Sequence, residues 1–203
     1  VHDDELLPHF SQELKPYIVP LRIDPERLTP KYPDPYKKSL TIVHAPSNRG
    51  FKGTKYVHEA IEKLKEKYDI EYILIEEMTQ DEAFKEYLKA DIIVDQIIIG
   101  TYGVFAIEAM GMGKPVITYI TEKMRKTFPD ELPIVSASPL TIESEIEKLI
   151  LDGQRRHDLG VKGRKYIETY HDCRKNAKIL AKIYEGKADK IDGKAVFEEV
   201  KEL

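Results

Sequence analysis

The spacing of apolar positions along this chain changes at Ser39. From there, short runs of β-branched and aliphatic residues alternate with stretches whose apolar residues recur every three or four positions. The run "SLTIVHAPS" predicts a first strand. "GTKYVHEAIEKLKEKY" then predicts a helix with Val57, Ile61, Leu64 and Tyr68 on one face. "IEYILIEE" predicts a second strand and "TQDEAFKEYLKA" a second helix, opened by a capping box of Thr79 and Glu82. "DIIVDQII", "VFAIEAMGM" and "KPVITYI" predict a third strand, a short helix and a fourth strand, and "LPIVSAS" predicts a fifth. Three helical stretches follow: "TIESEIEKLILDG", "GQRRHDLGVKGRKYIETY" and "DCRKNAKILAKIYEG".

Strand–helix alternation with short links specifies an α/β fold, a Rossmann-like doubly wound parallel sheet followed by C-terminal helices. Before Ser39 the pattern differs. Seven of the twelve prolines fall within residues 1–38, which predicts a Pro-rich connector packed along the domain, with at most a short strand at Tyr17–Ile23. The domain itself occupies residues 39–185. Residues 186–203 read as a polar tail, within which "AVFEEVKEL" can form a last turn of helix.

Composition narrows the function classes. With 41% hydrophobic and 33% charged residues, the 203-residue chain can bury a real core. A net charge of −4 gives no basic footprint for nucleic acid. The single cysteine, Cys173, leaves no intramolecular disulfide and suits a reducing, cytoplasmic setting. No apolar run approaches the ~20 residues that span a bilayer. No metal-ligand spacing and no Ser/His/Asp arrangement can be picked out, so no catalytic residue is assigned.

In doubly wound sheets ligands bind beyond the carboxyl ends of the strands, and two informative stretches fall there. "HAPSNRGFKGTK" follows the first strand. Ser47, Arg49, Lys52 and Gly53 precede a helix, whose free N–H groups and dipole favour an anion. Arg49 and Lys52 suit a pyrophosphate clamp, or else simply decorate a solvated loop. The spacing matches neither a Walker A loop nor GxGxxG. His44, at the strand end, is a candidate donor to a phosphate or sugar hydroxyl.

"DQIIIGTYGVFAIEAMGMGKP" follows the third strand. Gly100 and Gly103 allow a sharp turn or close approach to a ligand, and Thr101 is a candidate helix cap. Glu108 sits in the helix among apolar neighbours, where a carboxylate is costly unless something bonds it. A pair of ribose hydroxyls would do so.

"IVPLRID", "KGTKYVHEAIEKL" and "ADIIVDQ…GTYGVFAIEAMGMGKPVITY" resemble the carboxyl-terminal half of retaining GT-B glycosyltransferases of family 4, over roughly residues 17–184. The resemblance implies a domain that binds a nucleotide-diphosphate sugar as donor substrate, with no separate cofactor. Glu108 would hold the ribose, Lys52 and Gly53 the diphosphate, and the loop at Met78 and Thr79 would lie near the nucleobase. The amides of Gly100, Thr101, Tyr102, Gly103 and Val104 would face the phosphates. Two positions depart from the family pattern. Gly100 stands where the first Glu of E-x7-E belongs, and Ser47 stands where the diphosphate arginine belongs, with Arg49 as a nearby substitute. The resemblance also implies that an acceptor-binding amino-terminal domain lies outside these residues, in a longer chain or a partner. Without it, the terminal helices would be covered by the domain itself or by a second copy, as in a homodimer.

Three function classes follow. The chain is the donor half of a hexosyltransferase acting on a glycan, lipid or small-molecule acceptor, or a non-catalytic nucleotide-binding or regulatory module of the same fold, or an unrelated flavodoxin-like binder.

Overall fold

A computed structural model describes residues 17–187 and 194–203 of the chain. The strands are β1 (Leu40–His44), β2 (Ile70–Leu74), β3 (Ile92–Val94) and β4 (Val116–Ile117). The first helices are α1 (Arg49–Lys52), α2 (Thr54–Lys65), α3 (Gln80–Lys89), α4 (Val104–Gly111) and α5 (Glu122–Arg125). The later ones are α6 (Ile142–Leu151), α7 (Gly153–Tyr170), α8 (Cys173–Tyr184) and α9 (Lys194–Lys201). The strands form one parallel sheet in the order β2-β1-β3-β4.

The period of two along each strand sorts its residues into two cores. Ile42, Ile92, Val94 and Ile117 pack with Val57, Ile61 and Leu64 of α2 and with Ile146 and Leu149 of α6. Their neighbours Val43, Ile93 and Val116 point the other way, onto Ala83 of α3, Ala106 and Met110 of α4, and Ile167 of α7. Helices therefore cover both faces, as the alternation requires.

Two elements differ from the sequence expectation, and the 17–23 segment stays within its limit of at most a short strand. The fifth strand shrinks to a single bridge between Val135 and Ile117. Pro133 has no N–H to give to a ladder, which limits pairing there. The 17–23 strand is likewise a single bridge, from Ile23 to Asp172. The 186–203 stretch is less polar in structure than in composition: α9 buries Val196, Phe197 and Val200. These three recur at helical spacing among the four charged residues of α9, so the overall count hides an amphipathic face.

Residues 17–38 run along the domain. Ile23 N–H donates to His171 O, Lys31 N–H to Met112 O, Arg164 Nη1 to Leu28 O and Arg156 Nη2 to Lys37 O. Residues 1–16 of the expected connector lie outside the described residues. The apolar side of α8 is covered from within the chain, with Ile179 packed against Val19 and Val200. No described helix is long and apolar enough to cross a membrane.

Candidate functional site

The strand order places the site. From β1 the chain crosses to β2 on one side, and from β2 it returns to β3 on the other side of β1. Between β1 and β3 the winding direction reverses, so the loops after them flank a crevice at the carboxyl edge. These are the loops that hold Ser47–Gly53 and Asp95–Gly103.

The β1 loop closes with a single helical turn that the sequence reading missed. Asn48 caps α1 by accepting from Phe51 N–H at 3.1 Å, and Gly53 joins α1 to α2 at φ 75°. A Cβ at Gly53 would meet Ile97 at 2.6 Å, so only glycine fits this close approach to the β3 loop. Lys52 is thereby turned toward that loop. Its Nζ donates to Asp95 Oδ1 at 2.6 Å and to Gln96 Oε1 at 2.8 Å.

Arg49 goes elsewhere. Its guanidinium grips Glu76 at the end of β2 through two bonds, 2.7 Å from Nε and 2.5 Å from Nη2. The pair is largely solvated and worth little in stability, so an anion can compete for it. Ser47 is exposed beside it.

The β3 loop is fixed on two sides. Gln96 Nε2 donates to Thr101 O, Gln96 O accepts from Thr118 Oγ1 and Tyr119 N–H, and Gly100 O accepts from Thr121 N–H. Gly100 has φ 91°, and a Cβ there would meet Thr121 Cγ2 at 2.7 Å. The family's glutamate cannot be seated on this backbone without moving Thr121, which is the physical content of the departure at Gly100. Gly103, not Thr101, is the cap residue of α4, and no side chain caps that helix. The first-turn N–H groups of α4 are therefore donors without a side-chain acceptor, at the positive end of its dipole. Thr101 is buried, and its Oγ1 has no hydrogen-bond partner among the described residues. The Tyr102 side chain points into the core, its hydroxyl 3.1 Å from His171 Nε2, so only its backbone belongs to the loop surface.

Glu108 is half-buried on α4. Gln80 Nε2 donates to its Oε1 at 2.9 Å. Burial pushes this carboxyl above the usual range, and the Gln80 bond pulls it back. It borders a cavity of about 420 Å³ together with Asp24, Arg27, Asp81 and Phe84. Met78 is exposed, while Thr79 forms the expected capping box with Glu82. Both immediately precede Gln80, so the β2 loop and Glu108 are tied together as one surface.

His44 is not available to a ligand. It is fully buried. A carbonyl oxygen only accepts, so Nδ1 carries the hydrogen that Val94 O receives at 2.9 Å, and Nε2 accepts from Thr54 Oγ1 at 2.9 Å. Burial holds this ring neutral, with its pKa lowered to about 4.

Sequence reading missed Asp95 and Gln96. The signal was an Asp–Gln pair directly after the apolar run "DIIV", where burial makes a charge expensive. A larger cavity, about 850 Å³, lies away from the strand ends, between α7 and residues 130–136. None of residues 47–53 or 95–103 lines that larger cavity.

No family model matches the chain, and no curated protein matches it by sequence. Solved structures do match. A sucrose-phosphate synthase from Thermosynechococcus elongatus superposes with a TM-score of 0.70 at 16% identity, over 92% of this chain and 57% of that one. The C-terminal domain of a glycosyl transferase group 1 family protein from Francisella tularensis gives 0.53 at 18% identity, over 74% of this chain and 99% of that domain. Anabaena HepE in complex with UDP and glucose gives 0.62 at 11% identity, over 83% and 56%. The chain thus spans little more than half of the first and third of these proteins and is matched along nearly all of a single C-terminal domain. Its fold is that of the Rossmann-like C-terminal half of GT-B glycosyltransferases.

Proposed function

We propose that this chain is the donor-binding half of a hexosyltransferase, taking a nucleotide-diphosphate sugar and serving transfer with retention to a glycan, lipid or small-molecule acceptor. The observation that supports this reading is the topology: the loops after β1 and β3 bring Lys52 and the start of α4 to the switch point, and half-buried Glu108 lies on that same helix. Each suits a different part of the ligand. The ammonium and the α4 amides suit the diphosphate. The Glu108 carboxylate suits vicinal ribose hydroxyls, the role acidic residues play in other nucleotide sites of this fold class. HepE, with the same fold, was solved with UDP and glucose.

In such a transfer the charge develops on the departing nucleoside diphosphate. Preorganised donors aimed at that charge lower the barrier, and Lys52 with the α4 amides supplies them. The acceptor and any general base would belong to a second domain facing this crevice, in a longer chain or a partner. One observation favours a second reading, a nucleotide-binding module without transferase activity: Gly100 takes the place of the acidic residue in the family motif, on a backbone that excludes it. Both readings require nucleotide binding, and a transfer assay with a complete enzyme separates them.

Replacing Glu108 tests the binding reading. A hydrogen bond to a charged acceptor is worth ~1.5–3 kcal/mol, so Glu108→Ala should weaken nucleoside diphosphate binding about tenfold or more. Calorimetric titration with uridine, guanosine and adenosine diphosphates measures it. Unchanged affinity in a folded variant would make Glu108 a structural residue and remove the ribose assignment.

A further inference from the structure

Asp95 is a fully buried carboxyl at the end of β3, where the crevice's β3 loop begins. One oxygen is bonded to Lys52, and the other makes no hydrogen bond of normal geometry among the described residues, with the Gly103 N–H as its nearby donor. A buried carboxylate normally has all its oxygens satisfied. Here the carboxyl lies between the two features that suit a diphosphate, the Lys52 ammonium and the Gly103 N–H at the start of α4, and both act on it.

This placement has a consequence for binding. The carboxylate balances the Lys52 charge while the crevice holds no donor. A diphosphate on Lys52 and the α4 amides brings further negative charge beside a buried carboxylate, and draws on the same cation and the same N–H. Two anions sharing one site cannot both stay fully charged without cost, and the buried one can relieve that cost by protonation. Resting on the reading of this crevice as a donor site, we propose that Asp95 is an internal counter-anion which takes up a proton when a nucleotide-diphosphate sugar binds.

The surroundings of Asp95 support that assignment. Lys52 from α1 is its one cationic partner among the described residues, and Gln96 and Thr101 of its own loop are uncharged. His44 from β1 is close enough to feel Lys52 but is held neutral by burial. Tyr87 from α3 feels the Asp95 charge and has its own pKa pushed up to about 12, so it does not titrate near neutrality. Burial already pushes the Asp95 carboxyl upward, against Lys52 and the Gly103 N–H. Glu108 is the other raised carboxyl of the site, and a ribose would favour its ionised form and release a proton. Its contribution has the opposite sign.

The test is calorimetric titration of the whole chain with UDP-, GDP- and ADP-glucose, in buffers of different ionisation heat and across a pH series. A diphosphate diester carries no group that titrates near neutral pH, so the ligand adds no protons of its own. The expected result is net proton uptake, with affinity rising toward about tenfold per pH unit as pH falls through the titration of Asp95. In Asp95→Asn the uptake disappears, the pH dependence flattens and binding tightens at the alkaline end. Intact binding without uptake in the native chain, or uptake that persists in Asp95→Asn, overturns this inference and leaves the donor-site reading standing. Failure of every donor to bind a folded chain overturns both. The native buffer series needs no variant, so a misfolded Asp95→Asn does not rescue the idea.

Discussion

Lys52→Met is expected to destabilise the fold by about 3 kcal/mol at neutral pH, far more than a surface lysine should. The cause is the partner left behind. Among the described residues Lys52 is the only cation bonded to Asp95, whose other oxygen has no hydrogen bond of normal geometry there. Once the ammonium is gone, Asp95 must either stay charged in the interior or be protonated far from its normal pH, and both are costly. Two further results follow from the same cause. The loss should shrink as pH falls, because protonation then becomes easy. It should also be largely repaired by Asp95→Asn in the same chain, since a neutral amide needs no counter-charge. Urea unfolding of the native chain, the single variant and the double variant measures all three. A loss below about 1 kcal/mol in Lys52→Met would place the pair in the solvated class.

The second large effect is acid destabilisation above the usual carboxylate range. His44 and His171 are both buried and neutral. His171 donates from Nδ1 to Leu21 O at 2.5 Å, and its Nε2 lies 3.1 Å from the Tyr102 hydroxyl. Burial lowers each pKa to about 4 from the ordinary 6.5. A histidine depressed in the folded state stabilises the fold fully above its unfolded pKa. That contribution is lost as pH falls from about 6.5 toward about 4, because the unfolded chain takes the proton first. Each ring contributes up to about 3 kcal/mol over this interval. Asp95, raised rather than lowered, works in the opposite direction. The melting temperature should therefore fall steadily between pH 7 and pH 5, and a flat profile over that range would mean that these rings remain solvated.

The elements that were legible in the sequence are those whose periodicity reports burial. Val57, Ile61 and Leu64 recur at helical spacing and are fully buried in α2; the runs of β1 and β3 alternate between two cores. The Thr79–Glu82 capping box was legible because it is local, four consecutive residues with a single geometry. What was not legible depends on contacts between distant segments. Nothing within "SNRGFKG" says that Arg49 will turn to Glu76, or that Lys52 will turn to Asp95, more than forty residues away. His44 reads as a cleft residue by its place at a strand end, but Thr54 and Val94 O close over it. A turn of helix was legible at "AVFEEVKEL", but the buried face of α9 was not, because three apolar positions in a charged segment vanish in composition.

The loops that flank the crevice are held from within the chain. Every element that shapes the crevice, from Asn48 capping α1 to Thr121 holding Gly100, is bonded within the described residues. On the proposed reading, tertiary structure serves to hold Lys52 and the α4 amides together at the carboxyl edge of the sheet. Catalysis, on the proposed reading, needs only that a second wall bring the acceptor to them.

On the proposed reading, a nucleotide-diphosphate ligand binds at the β1–β3 switch point. The most direct test of this binding is a backbone amide NMR titration of the chain with a nucleoside diphosphate. Shifts should concentrate at Ser47–Gly53, Gly100–Val104 and the residues flanking Glu108. Shifts confined to the larger cavity between α7 and residues 130–136, or none with any nucleotide, would contradict it.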